Sequence, residues 1–81
     1  MNDAEIRQAF LEELTTVAPD LDPATVGDDD HLQEDLELDS MDFLNLVAAL
    51  HKRLGVSVPE ADYARIATPG SAVRYLVAAL D

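Results

Sequence analysis

Ile6, Phe10, Leu14 and Val17 recur at spacings of four, four and three. This spacing places them on one face of a helix. Asn2 is positioned to cap it, Glu5 to complete a reciprocal capping box, and Pro19 to end it. From about Ala18 to Leu38 the periodicity lapses into two prolines, a glycine and the triplet Asp28-Asp29-Asp30, which predicts a long connection. So long a loop needs anchors in a compact domain, and Val26, Leu32, Leu36 and Leu38 are the apolar candidates. A short helical turn is expected after Asp30.

The next segment predicts a helix from Ser40 to about Leu54. Lys52 and Arg53 suit its last turn, and Gly55 suits the left-handed position beyond it. Its run Phe43-Leu44-Asn45-Leu46-Val47-Ala48-Ala49-Leu50 is apolar on most sides, so this helix is expected at the centre of the fold. Val56-Ser57-Val58 is a short extended link. Pro59 opens a brief third helix through about Arg65. Thr68 caps a fourth, with Pro69 at its first position and Val73, Leu76, Val77 and Leu80 as its stripe. No stretch alternates long enough for a sheet. The expected fold is all-α: a small four-helix bundle with three longer helices, a short third one, and a long loop between the first two.

Eighty-one residues make one small domain, spanning 1–81, with a thin core. The absence of cysteine rules out disulfides, a thiol nucleophile and cysteine-ligated zinc. No signal-like segment and no apolar run near membrane-spanning length is present, so a free-standing, monomeric, cytoplasmic protein is expected, without stable membrane insertion. The formal net charge is −12. Residues 1–42 carry 14 Asp and Glu against a single Arg, whereas residues 43–81 carry three acids and four Lys or Arg. Long-range repulsion therefore disfavours nucleic acid, and a partner with a basic patch is favoured.

The acids crowd toward Asp39-Ser40-Met41, at the head of the apolar helix. Asp39 reads as the N-cap, with Asp42 three residues on. Ser40 then keeps its hydroxyl in solvent at the positive end of the helix dipole, where a phosphodiester is well placed. A plain helix start explains the same residues. Catalysis by Ser40 requires a base within reach, and only two histidines exist. His51 lies about 16 Å up the same helix, His31 is in the loop, and both read as surface residues. No Gly-x-Ser-x-Gly elbow is present, so no catalytic residue is assigned. Asp28, Asp29, Asp30, Glu34 and Asp35 lack the spacing and central glycine of a calcium loop, so no metal site is assigned.

The run Asp35-Leu36-Glu37-Leu38-Asp39-Ser40-Met41-Asp42 resembles the modification site of acyl carrier proteins, Leu-Gly-x-Asp-Ser-Leu-Asp. Val56-Ser57-Val58-Pro59-Glu60 and Ile66-Ala67-Thr68-Pro69 resemble later landmarks of that family. The resemblance implies that Ser40, flanked by Asp39 and Met41, carries covalent 4′-phosphopantetheine installed by a phosphopantetheinyl transferase. It implies a non-catalytic carrier whose partners are acyl-activating, acyl-transferring or chain-extending enzymes with basic docking patches. Glu37, Asp39, Asp42, Leu44 and Asn45 would meet them.

Val47, Leu50, Val58, Ile66, Ala72 and Tyr75 are core by default. The resemblance implies that they line a cleft for the acyl chain, with bulky Tyr63 plugging or shortening it. Glu37 stands in place of the family's glycine. Asn45 and His51 stand where glutamate is frequent, and Lys52 and Arg53 add positive charge, which turns the expectation from housekeeping fatty-acid synthesis toward a specialised acyl or polyketide pathway. A peptidyl or aryl carrier, and an unmodified acidic interaction module, stay open.

Overall fold

The computed structural model describes residues 1–81, with α1 at Asp3–Val17, α2 at Ser40–Leu54, a 3-10 helix η1 at Glu60–Ile66 and α3 at Pro69–Leu80. Each α-helix begins where a side chain meets the first free amides. The Asn2 side chain accepts from Glu5 N, Asp39 from Asp42 N and Thr68 from Ser71 N, each within a reciprocal capping box. α2 ends at Gly55, whose φ of 73° lies in the left-handed region that glycine enters without a Cβ penalty.

The core is a single apolar cluster. α1 contributes Ile6, Phe10 and Leu14, α2 contributes Phe43, Leu46 and Leu50, and Ile66, Ala72 and Leu76 close it from η1 and α3. No polar side chain is buried. Two expectations need correction. α1, not α2, is the middle helix: its backbone comes within 8 Å, Cα to Cα, of both α2 and α3, which come that close to each other nowhere. α2 buries only Phe43, Leu46 and Leu50, leaving Leu44 and Ala48 of its apolar surface exposed. On α3 the buried line runs through Pro69, Ala72 and Leu76, while Val73 and Val77 are half-buried and Leu80 is exposed.

The long connection is held at defined points. Val26, Leu32 and Leu38 enter the core, and Leu36 packs on its edge. Leu32 N donates to Ala67 O at 2.9 Å, and Gly70 N donates to Asp28 O at 3.0 Å. A Cβ on Gly70 would lie 3.1 Å from Asp28 backbone and side-chain atoms, tighter than an ordinary contact, so a larger residue there would need the Asp28 loop to give way by a few tenths of an ångström. Arg7 pairs with the Asp28 carboxylate, tying the same loop to α1. The turn expected after Asp30 is a single one: Asp35 N and Leu36 N both donate to His31 O. The loop thereby brings residues 31–33 to the η1–α3 junction, beside the start of α2.

Candidate functional site

Ser40 is the first residue of α2 and is exposed. Asp39 Oδ1 accepts from Asp42 N at 2.7 Å, and Asp42 Oδ2 accepts from Asp39 N at 3.4 Å. These two bonds satisfy two of the helix's free amides. The amides of Ser40 and Met41 keep no partner within the chain and point past the helix end, as at any helix N-terminus. One turn further on, Phe43 and Leu46 are buried, so the hydroxyl stands on a helix clamped to the core.

Beside Ser40 lies a groove of about 640 Å³, lined by His31, Gln33, Ser40, Phe43, Leu44 and Tyr63 together with Ala64 and Ala67. It forms where the loop, the first turn of α2 and η1 converge. Five of its eight lining residues are apolar. Phe43 and Tyr63 meet edge to face, with ring centroids 5.3 Å apart and planes at 67°. His31 is therefore not the simple surface residue expected. It is half-buried, and its Nδ1 accepts from the amides of Gln33 and Glu34 at 3.3 and 3.2 Å. That nitrogen shapes the turn and is not bonded to Ser40. Gln33, Phe43, Ala64 and Ala67 were not expected at the site, and His31 was weighed only as a base for Ser40, because only the return of the loop places them together.

The seven residues expected along a cleft do not line one cavity. Leu50, Val58, Ile66 and Ala72 are buried in the core, and Val47 packs against it. Tyr63 alone reaches the groove. Tyr75 faces a separate depression with Arg65, Ser71 and Arg74. Its hydroxyl donates to Asp62 at 2.8 Å, a bond that raises its pKa, and the Arg65 guanidinium lies 4.9 Å from the ring centroid.

Charge is unevenly arranged around Ser40. Glu37, Asp39 and Asn45 are exposed, as are two apolar side chains, Met41 at 72% and Leu44 at 50%. Asp42 is half-buried and turns away from the groove, edging a second depression with Glu37, Leu36 and Leu38. Arg53 adds no free positive charge near the serine. It donates to Glu12 at 2.6 Å and to Glu13 at 2.9 Å, thirteen residues and about 20 Å up the helix.

Hydrogen bonds from Gln8 and Arg53 lower the Glu12 pKa. A depressed carboxylate stabilises the fold above its unfolded-state pKa, and that stabilisation is lost as pH falls through the depressed folded-state value. Arg53→Gln is expected to flatten this acid limb of the stability curve and to reduce its salt dependence. Urea titrations from neutral to acidic pH check the outcome, and limbs of equal slope in both proteins would contradict it.

Glu37 is the only non-glycine residue with positive φ, at 63°. The backbone turns there into the left-handed region just before the cap, a conformation that costs a β-carbon about 1 kcal/mol relative to glycine. Glu37→Gly is expected to leave the fold unchanged and to raise stability by up to about 1 kcal/mol, since the exposed side chain makes no ion pair. The urea midpoint measures this; a drop in midpoint contradicts the strain assignment.

Residues 4–76 match a family model described as a phosphopantetheine attachment site. The acyl carrier protein of Wolinella succinogenes is 32% identical over 72 residues, covering 89% of this chain and 88% of that protein. The acyl carrier protein of Rubrobacter xylanophilus is 32% identical over 77 residues, covering 95% and 94%. A solved structure of the acyl carrier protein from Enterococcus faecalis superposes with a TM-score of 0.77 at 25% identity, covering 98% of this chain and 99% of that one.

Proposed function

Because the chain belongs to the acyl carrier protein family, with its phosphopantetheine attachment domain, we propose that Ser40 is the residue that carries the prosthetic group. The family transports groups and does not transform them. The observation that supports Ser40 most directly is its place: an exposed hydroxyl at the first position of a capped helix, with two amides free beside it. In the attachment step the Ser40 oxygen attacks the pantetheine-linked phosphorus of coenzyme A. The phosphoanhydride bond breaks, the adenosine 3′,5′-bisphosphate portion departs, and the serine proton passes to a base in the transferase. The product is a phosphodiester whose arm ends in a thiol.

That thiol gives a chain without cysteine its thioester chemistry. Held on a flexible arm, the cargo reaches each partner's active site at high effective concentration. The helix end contributes about half a positive charge, which Glu37, Asp39 and Asp42 outweigh. No free phosphate is therefore expected to bind here, and the covalent bond does the holding. Glu37, Asp39, Met41 and Leu44 form an exposed patch, acidic with two apolar contacts, around the serine. It suits brief docking to basic surfaces of a transferase and of acyl-activating, acyl-transferring or chain-extending enzymes.

Asn45 and His51 leave the outer face of α2 short of acids, which supports service to a specialised acyl or polyketide pathway. We place the protein in the cytoplasm as a monomer. No helix is long and apolar enough to cross a membrane.

Incubation with coenzyme A and a phosphopantetheinyl transferase is expected to add about 340 Da to the intact mass, mapping to the peptide that contains Ser40. An unchanged mass, from protein made in its native cells as well, would overturn this reading.

A further inference from the structure

We propose that the recess between η1 and α3 is a second docking point, which takes the carboxylate of an acidic side chain on a partner protein. This inference goes beyond attachment at Ser40 and does not depend on it. The recess has a volume of about 250 Å³ and is lined by Arg65 from η1 and by Ser71, Arg74 and Tyr75 from one face of α3. Of the five Lys and Arg in the chain, Arg7 is paired with Asp28, and Arg53 with Glu12 and Glu13. Lys52 stands apart on α2. Arg65 and Arg74 are exposed and enter no ion pair. They are the two uncommitted guanidiniums, and the fold brings them to one recess.

The hydroxyl protons of the recess are already used. Ser71 donates to Thr68 O at 3.1 Å, and Tyr75 donates to Asp62 at 2.8 Å. Asp62 is thereby engaged and pairs with neither arginine. An occupant therefore meets the N–H donors of two guanidiniums, a set that suits a planar, acceptor-only oxyanion. Arg65 is held in place beforehand, its guanidinium 4.9 Å from the Tyr75 ring centroid. Two like charges on one recess also repel each other, and an anion between them removes that repulsion.

Net charge decides which anion enters. At −12 the protein repels free phosphate, nucleic acid and anionic membrane at long range. A carboxylate escapes this repulsion when it is borne by a protein whose remaining surface is basic, because the acids crowded into residues 1–42 attract that protein. A partner of this kind meets charges of both signs, which fixes its orientation as well as drawing it in.

The test follows the side-chain Nε–H NMR signals of Arg65 and Arg74 in the full chain at low salt. The probes are an acetylated, amidated Ala-Glu-Ala peptide, its Ala-Gln-Ala counterpart and inorganic phosphate. The glutamate peptide is expected to shift both signals saturably, and the glutamine peptide to shift neither. Arg74→Gln, an exposed change that leaves the fold intact, is expected to weaken the glutamate peptide about tenfold, the loss of one charge-assisted pair. Lys52→Gln removes the same charge elsewhere and is expected to change that affinity by less than about twofold.

Silence of both signals overturns the proposal, as does an equal response to the glutamine peptide. Equal weakening in Lys52→Gln and Arg74→Gln overturns it too, since net charge alone would then explain the binding. Phosphate that binds as tightly as the glutamate peptide overturns it in favour of a free-anion site. No readout uses the prosthetic group, so a failure of attachment at Ser40 leaves this result unaffected.

Discussion

Replacing Ser40 with alanine is expected to give a correctly folded protein that takes up no prosthetic group at all. The side chain is exposed and enters none of the hydrogen bonds that cap α2, which run between Asp39 and Asp42. Alanine is the best helix former, and a surface change of this kind alters stability by less than about 0.5 kcal/mol. The unfolding midpoint should therefore hardly move. The effect on modification is all or none, because the oxygen that would form the ester is gone. Ser57 and Ser71 are the remaining serines: Ser57 lies on the link after α2 and heads no helix, and the Ser71 hydroxyl is bonded into the Thr68 cap. After exposure to transferase and coenzyme A the variant should show its unmodified mass, while wild type gains about 340 Da. Uptake by the variant, or equal silence in both proteins, would remove Ser40 from its assigned role.

Phe10→Ala is expected to have the largest effect on stability. Phe10 is fully buried on α1, the helix that packs on both α2 and α3. Truncating a buried phenylalanine costs about 3–5 kcal/mol, including the cavity left behind. A domain of this length has about 4–12 kcal/mol in total. The variant should therefore lose much of its urea midpoint and be partly unfolded at 37 °C, a change that circular dichroism follows directly. Leu44→Ala, of comparable chemistry but half exposed on α2, should stay within about 0.5 kcal/mol of wild type. A loss at Phe10 no larger than at Leu44 would show that α1 is not the helix the bundle is built around.

Much of the architecture could be read along the chain because its signals are local. Asn2, Asp39 and Thr68 cap helices as expected, Gly55 ends one, and Pro59 and Pro69 open the last two. The anchors of the long loop were also visible, since Val26, Leu32 and Leu38 are isolated apolar residues in an acidic stretch. The identity of the middle helix was not. Apolar content pointed to α2, but which helix touches which depends on crossing geometry, and the apolar side chains of α2 include Met41 and Leu44, which face solvent. On α3 the buried line runs through Ala72 and Leu76, and the larger valines stay half-buried.

Short-range pattern, taken alone, determined four helices, their caps and a serine set at the head of one of them. Capping and periodicity act over three or four residues, so one dimension suffices for them. Tertiary packing decided that His31, Gln33 and Tyr63 share a groove with that serine, that Arg53 is committed to Glu12 and Glu13, and that Leu50, Val58, Ile66 and Ala72 are packed into the core. Those outcomes depend on contacts such as Leu32 with Ala67 and Arg53 with Glu12, 35 and 41 positions apart, which no local periodicity encodes.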